Sequence, residues 1–139
     1  MTPTSDLYWD ASAVISLLVE DVHSPKAHAA LRPQRTHYLS SLALAEVISV
    51  LHRIGETAVK LRCTEFLRDV REGFWCQLHI APSAEQLEVL AGRHRLRGAD
   101  LWHLATALML QKELPATRLV TFDLQLARAA QHEKIFFAG

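Results

Sequence analysis

The chain has little cysteine, no surplus charge of either sign and no long apolar run, and each shortage excludes a class of protein. Two cysteines, Cys63 and Cys76, are too few for a disulfide framework and fit no zinc-ligand spacing. Fifteen basic and fifteen acidic residues balance, so the overall positive charge of many nucleic-acid-binding domains is missing. No stretch approaches the roughly 18 apolar residues of a membrane span, and no basic leader precedes an apolar run. We therefore expect a cytoplasmic protein with no membrane segment.

The 139 residues, half of them hydrophobic, are enough for one domain with its own core, and we predict a single domain over residues 1–139. Short β-favouring runs alternate with amphipathic helical patterns, which indicates an α/β fold. We expect a central parallel sheet of four to five short strands with helices on both faces. The predicted strands cover 7–9, 37–41, 76–80, 118–122 and 134–138. The predicted helices cover 12–19, 25–31, 41–54, 57–72, 82–94, 99–114 and 124–131.

Four carboxylates stand where a predicted strand or loop gives way to a helix: Asp10, Glu46, Asp100 and Asp123. Asp10 and Asp123 follow strands, and Glu46 and Asp100 lie in the first turns of helices. Because the carboxyl ends of parallel strands share one edge of a sheet, we expect the four to lie close together. Helix capping explains any one of these acids alone. A cluster of four needs a retained proton or a bound cation, since two like charges 4 Å apart repel by about 4 kcal/mol at an effective dielectric constant near 20.

An all-oxygen ligand set suits Mg²⁺ or Mn²⁺ and argues against structural zinc. The segments around the four acids are YWDASAVISLL, SSLALAEVISVLHR, LRGADLWHLATAL and LVTFDLQLARAA. In their order and spacing they resemble the PIN domain family, and most closely the VapC-type toxin ribonucleases of toxin–antitoxin pairs.

The resemblance implies that Asp10, Glu46, Asp100 and Asp123 form the acidic quartet of the family, which binds one or two Mg²⁺ or Mn²⁺ ions. Ser12 matches the small hydroxyl residue after the first acid, although a role as a helix N-cap fits it equally well. Thr121 matches the hydroxyl residue in the strand before the last acid.

The implied activity is metal-assisted hydrolysis of phosphodiester bonds in single-stranded or loop RNA. Either Asp100 or Glu46 would serve as the base. The implied partners are a small cognate antitoxin protein and a second copy of the chain in a homodimer. A catalytically silent PIN-like module that binds RNA or protein is the alternative, although such modules usually lack an acid of the quartet. A receiver-like or phosphatase-like domain ranks lower, because no lysine lies between residues 61 and 111.

The arginines and the histidine near the acids each have two interpretations. Arg93, Arg95 and Arg97 crowd the loop before Asp100, where they would hold RNA phosphates or form a solvated turn. His103 shares a helix face with Asp100, so it is a candidate contact for RNA or for a carboxylate, with a structural histidine as the favoured interpretation.

Several hydrophobic residues are candidates for packing or for interfaces. Trp9 is expected in the core, whereas Trp102 is a candidate for base stacking and Trp75 is expected to be partly exposed, at an interface. On the helix 57–72, Val59, Phe66 and Val70 are candidate dimer contacts or core residues. The charge cluster further predicts that a divalent ion raises the melting temperature and that at least one acid titrates above its ordinary pKa.

Overall fold

A computed structural model describes residues 6–139 and shows the expected α/β architecture, with four strands and seven helices among the described residues. The strands are β1 (Asp6–Trp9), β2 (Thr36–Ser40), β3 (Trp75–Leu78) and β4 (Arg118–Val120). The helices are α1 (Ala11–Leu18), α2 (Ser24–Ala30), α3 (Ser41–Ile54), α4 (Thr57–Arg71), α5 (Ala84–Arg93), α6 (Gly98–Glu113) and α7 (Leu124–His132). In this part of the chain, no helix combines the length and the apolar character needed to cross a membrane.

The four strands form one parallel sheet in the order β3-β2-β1-β4. The chain runs outward from β1 to β2 and β3, and then crosses to the opposite side of β1 to form β4. The order therefore reverses between β1 and β4, and the crevice beyond the carboxyl ends of two such strands is where open α/β sheets bind ligands.

Two hydrophobic clusters cover the two faces of the sheet. Side chains alternate along β1, so that Leu7 and Trp9 pack on one face and Tyr8 on the other. The first cluster includes residues of the helices α1 to α4, and the second includes residues of α5, α6 and α7. Because both faces are covered, the strands are nearly continuous apolar runs, as parallel strands usually are.

The helix boundaries follow local signals in the sequence. Ser40 caps α3 by accepting a hydrogen bond from the backbone N–H of Ala43, at 3.0 Å, and Ser83 caps α5 in the same way. Gly55 ends α3 in the left-handed conformation, with φ of 72°, which glycine adopts at helix ends without a steric penalty.

Three expectations for hydrophobic residues need correction. The strand predicted at 134–138 is a single bridge between Leu119 and Phe136, because Leu119 is the one residue of β4 that exchanges backbone hydrogen bonds with this segment. Trp75 is not an exposed interface residue: it begins β3 and is only 3% exposed, packed edge to face against Trp9 and Phe66. Phe66, 3% exposed, and Val59, 6% exposed, belong to the core, so neither offers a contact surface for a second subunit.

Candidate metal centre at the carboxyl edge of the sheet

Asp10 lies at the centre of the site, directly after β1, and is 3% exposed. It is the N-cap of α1: its Oδ1 accepts a hydrogen bond from the backbone N–H of Ala13 at 2.9 Å and another from the Ser12 hydroxyl at 2.7 Å. Thr121 donates its hydroxyl hydrogen to Oδ2. Burial raises the pKa of Asp10 even though these three hydrogen bonds lower it.

Ser12 is therefore not the cap of α1, because Asp10 itself has that role. Its hydroxyl accepts a hydrogen bond from the backbone N–H of Phe122 at 3.3 Å while it donates to Asp10. The hydroxyl thus links the carboxyl end of β1 to the segment after β4. This contact favours the interpretation of Ser12 as a companion of the first acid.

Asp123 caps α7 by accepting a hydrogen bond from the backbone N–H of Leu126 at 2.9 Å. Thr121 connects it to Asp10, because the Thr121 oxygen accepts the backbone N–H of Asp123 at 3.1 Å. The strand β4 ends at Val120, so Thr121 follows the strand instead of lying within it as predicted. The short strand places a buried hydroxyl between the two acids at the point where the strand order reverses.

Glu46 is the sixth residue of α3 and so lies in the second turn, not the first as predicted. Its side chain is 36% exposed, and its Oε1 lies 2.9 Å from the Nε2 atom of His103 on α6. The other ring nitrogen of His103 lies 2.7 Å from the hydroxyl oxygen of Tyr8 on β1. Because a carboxylate only accepts, Nε2 is the donor in the contact with Glu46, and in the tautomer with its hydrogen on Nε2 the Nδ1 atom accepts the hydroxyl hydrogen of Tyr8.

His103 is only 2% exposed, so it is not an RNA contact. Burial and the nearby charges of Asp10 and Glu46 raise the pKa of Tyr8, which keeps its hydroxyl protonated and able to donate. Sequence reasoning missed Tyr8, because in the sequence it is simply one more aromatic residue of a buried strand.

Asp100 lies in the first turn of α6 and is partly buried. Burial raises its pKa above the ordinary value, and the negative charges of Asp123 and Asp10 raise it further. Glu46 adds a smaller effect in the same direction. All three of the other acids therefore act on Asp100 electrostatically, and the predicted upward shift of at least one acid is confirmed for Asp100 and Asp10.

The four acids offer only oxygen ligands, which suit a hard divalent cation. Only one trio of histidine, cysteine or acidic side chains within residues 6–139 brings its ligand atoms within 4.8 Å of one another, and it contains none of the four acids. Mg²⁺ commonly takes one or two carboxylates directly and keeps several of its waters. In this arrangement at most two of the four carboxylates would contact one hydrated Mg²⁺ or Mn²⁺ ion directly.

The three predicted arginines are in different surroundings. Arg93 is engaged with Glu133, its Nη1 atom lying 3.0 Å from Oε1 of that side chain. Arg95 is exposed and lines an open groove that it shares with Arg128. Arg97 is the exposed N-cap residue of α6, three positions before Asp100.

The model of the PIN domain family matches residues 7–131, nearly the whole chain. The chain belongs to the PIN domain family. The match includes all four acids together with Ser12 and Thr121, and the resemblance drawn from the sequence is confirmed. A comparison with curated proteins finds no match.

Among solved structures, this PIN domain is similar to the crystal structure of VapC20 from Mycobacterium tuberculosis, which is described as a toxin that cleaves the sarcin–ricin loop. The two structures superpose with a TM-score of 0.59 over 89% of this chain and 95% of that one, at 16% sequence identity. The similarity shows that the chain has the fold of a VapC toxin.

Proposed function

We propose that this PIN domain is an endoribonuclease that depends on Mg²⁺ or Mn²⁺ and acts as the toxin of a type II toxin–antitoxin pair. The observation that carries the proposal is the Thr121 hydroxyl, which joins Asp10 to Asp123 at the carboxyl edge of the sheet. The negative charges of Asp123, Asp10 and Glu46, which raise the pKa of Asp100 beyond the effect of its burial, support it. Carboxylates that raise the pKa of a neighbour do so because their negative charges repel, and a bound divalent cation offsets this repulsion. The family and the similarity in fold to a VapC toxin support the same reading.

Each acid has a distinct part in the proposed site. Asp10 has three hydrogen-bond donors and little freedom, so it is the anchor against which a cation is held. Asp123, oriented by Leu126 and Thr121, is the second acid at the reversal point of the sheet. When bound, the cation would lower the pKa of a coordinated water and stabilise charge that develops on the phosphate.

Glu46 and Asp100 are the two candidates for the group that orients or deprotonates the attacking water. His103 holds one oxygen of Glu46, which fixes the direction of the carboxylate without neutralising it. Burial and the neighbouring acids raise the pKa of Asp100, which makes its carboxylate a stronger proton acceptor than a free aspartate. Comparing Glu46→Gln with Asp100→Asn in single-turnover cleavage, at saturating metal, distinguishes the two.

RNA would approach along the exposed arginines that precede α6 in the chain. Arg95 and Arg97 have no acidic partner among the described residues, so they are available to phosphates. Arg93 is less available because of its ion pair with Glu133. Single-stranded or loop RNA is the substrate class that we propose, since its backbone and bases can be brought to a shallow edge. A small antitoxin protein would cover the same edge, and a homodimer is the proposed oligomeric state.

The test is cleavage of total cellular RNA by purified protein with Mg²⁺ or Mn²⁺, beside an EDTA control and the Asp100→Asn variant, with the cut ends mapped. We expect discrete cuts that both controls abolish. Glu88→Gln, which removes an exposed carboxylate of α5, is the matched variant that should leave cleavage unchanged. Absence of cuts from folded protein that binds the cation and is free of antitoxin would contradict the nuclease and favour a catalytically silent module that binds RNA or protein.

A further inference from the structure

A second group of metal-ligating side chains lies at the opposite end of α7 from Asp123. It consists of His94, His132 and Glu133, and we call it the histidine cluster. His94 follows α5 in an extended conformation, His132 is the last residue of α7 and Glu133 is its C-cap. Because α7 has 9 residues, the cluster lies about 14 Å along the helix from Asp123, at a rise of about 1.5 Å per residue.

Two imidazole nitrogens converge on one carboxylate oxygen in this cluster. Nε2 of His94 lies 2.7 Å and Nδ1 of His132 lies 3.4 Å from Oε2 of Glu133. The three ligand atoms all lie within 4.8 Å of one another. The ligand atoms of a tetrahedral zinc ion are about 3.3 to 3.5 Å apart, given metal–ligand distances of about 2.0 to 2.1 Å. Small side-chain rotations therefore bring the three into ligating positions.

The carboxylate of Glu133 is held so that one oxygen faces the histidines. Arg93 donates from Nη1 to Oε1 at 3.0 Å and, over the longer distance of 3.4 Å, to Oε2, and the Glu133 side chain is only 10% exposed. Partial burial raises the pKa of Glu133, but hydrogen bonds from His94, His132 and Arg93 outweigh it and hold the pKa below its ordinary value. A charged partner that orients a ligating carboxylate through its other oxygen is a common support for a metal site.

We propose that His94, His132 and Glu133 bind one transition-metal ion of the zinc class, separately from the acidic site. Two imidazoles and one carboxylate are ligands of Zn²⁺ in three-ligand sites that keep an open position, whereas Mg²⁺ prefers oxygen alone. The side chains of His94 and Glu133 are each 10% exposed, so these two ligands are largely shielded from water. The His132 side chain is 70% exposed and forms the solvent side of the cluster.

Positive charge around the cluster limits the strength of binding. Arg95 and Arg128 line the same open groove, which has a volume of about 370 Å³, and Arg93 contacts the carboxylate directly. A cation in this groove is repelled by these side chains, so we expect micromolar affinity and not the affinity of a closed structural zinc site.

The test is calorimetric titration of the full chain with Zn²⁺ in excess Mg²⁺, with Co²⁺ as an optical probe of tetrahedral coordination. We expect one equivalent of Zn²⁺ to bind and to raise the melting temperature. His132→Ala and Glu133→Gln should each weaken binding at least tenfold. His132 is exposed enough for its removal to leave the fold intact, and His52→Ala removes an exposed histidine of α3 as the matched control.

Asp100→Asn distinguishes this site from the acidic one, because it should leave the Zn²⁺ equivalent in place. Absence of binding, binding that His132→Ala and Glu133→Gln do not change, or binding that Asp100→Asn removes would each overturn the proposal. The first two of these outcomes would show that the three side chains are an ion-pair network only. None of the readouts depends on RNA cleavage, so the proposal stands or fails separately from the nuclease.

Discussion

His103 joins Glu46 to Tyr8, with its two ring nitrogens 2.9 Å from the carboxylate and 2.7 Å from the hydroxyl oxygen. The relationship links a partly exposed carboxylate at the edge of the sheet to a fully buried side chain of its central strand. Glu46 is therefore held in position by a residue that RNA does not reach.

The contact of His103 with Glu46 predicts different effects for two substitutions of similar size. The amide nitrogen of glutamine reaches the position of Nε2, so His103→Gln should keep the hydrogen bond to Glu46, whereas His103→Asn should keep only the one to Tyr8. We expect cleavage to fall about tenfold more in the Asn variant, the equivalent of about 1.4 kcal/mol. Single-turnover cleavage measures this, with Tyr8→Phe as the control that removes the hydroxyl alone. Equal losses in the two variants would contradict a positioning role.

Thr121→Val tests how much the Thr121 hydroxyl, which hydrogen-bonds to both Asp10 and Asp123, contributes to stability. The substitution leaves Asp10 with two donors instead of three and the backbone N–H of Asp123 without its acceptor. We expect the free energy of unfolding to fall by about 1 to 3 kcal/mol. Thr117→Val is the matched control, because the buried Thr117 hydroxyl has no hydrogen-bond partner within residues 6–139, and its removal should be neutral or stabilising. Chemical denaturation of both variants, without metal, gives the comparison.

The acidic cluster should make the protein less stable as pH rises when no divalent ion is present. Because the pKa values of Asp10 and Asp100 are raised in the folded state, the folded protein holds protons that the unfolded chain has already lost. The free energy of unfolding therefore falls between the ordinary carboxyl value of 3.8 and the raised values, and stays lower above them. Asp100→Asn should remove part of this dependence and raise the melting temperature at neutral pH by a few degrees. An unchanged or lower melting temperature would speak against the repulsion.

Divalent ions should make the unsubstituted protein more stable than Asp100→Asn, which is the reverse of the order expected without them. Mg²⁺ or Mn²⁺ binds the folded site and not the dispersed acids of the unfolded chain, which stabilises the protein by about 2.7 kcal/mol at 100 times the dissociation constant. We expect the melting temperature of the unsubstituted protein to rise by several degrees, and that of Asp100→Asn to change little. A flat thermal shift in millimolar Mg²⁺ and Mn²⁺ would contradict an assembled site.

His37 should make the protein less stable below neutral pH. Burial lowers its pKa below 6.5, and the positive charge of Arg35 lowers it further. Its Nδ1 accepts a hydrogen bond from Nε1 of Trp9 at 3.0 Å, so a proton on Nδ1 would face the indole hydrogen of Trp9 and break this hydrogen bond. As pH falls through 6.5 the unfolded chain takes up the proton first, and stability falls by up to about 1.4 kcal/mol per pH unit. His37→Gln should flatten this dependence in denaturant titrations at pH 7 and pH 5.5, and His52→Ala should not.

The sequence predicts the class of fold and the edge of the sheet that carries the acids, because both depend on local patterns. A run such as LYWD followed by an apolar helix indicates both the strand and the acid that ends it, and Ser40 and Gly55 mark the two ends of α3. The four acids were all found in this way, although their roles as ligands stay a prediction.

Contacts between distant segments were not predictable. Tyr8 and His103 are 95 positions apart, and His103 and Glu46 are 57 apart, so no periodicity relates them. The burial of Trp75 has the same origin, since the rings of Trp9 and Phe66 that cover it come from other elements. Local patterns give the direction in which a side chain points, but they do not identify the side chain that it meets.

The hydrogen bond between Thr121 and Asp10 spans 111 positions of sequence, and β4 pairs with the strand that the chain forms first. A chain emerging from the ribosome carries Asp10, Glu46 and Asp100 well before it carries Thr121 and Asp123. The central strand lacks its β4 neighbour until then, and the first acid lacks one of its three donors. If the site cleaves RNA, a nascent copy stays harmless to the ribosome that is making it until almost all of the domain has been synthesised.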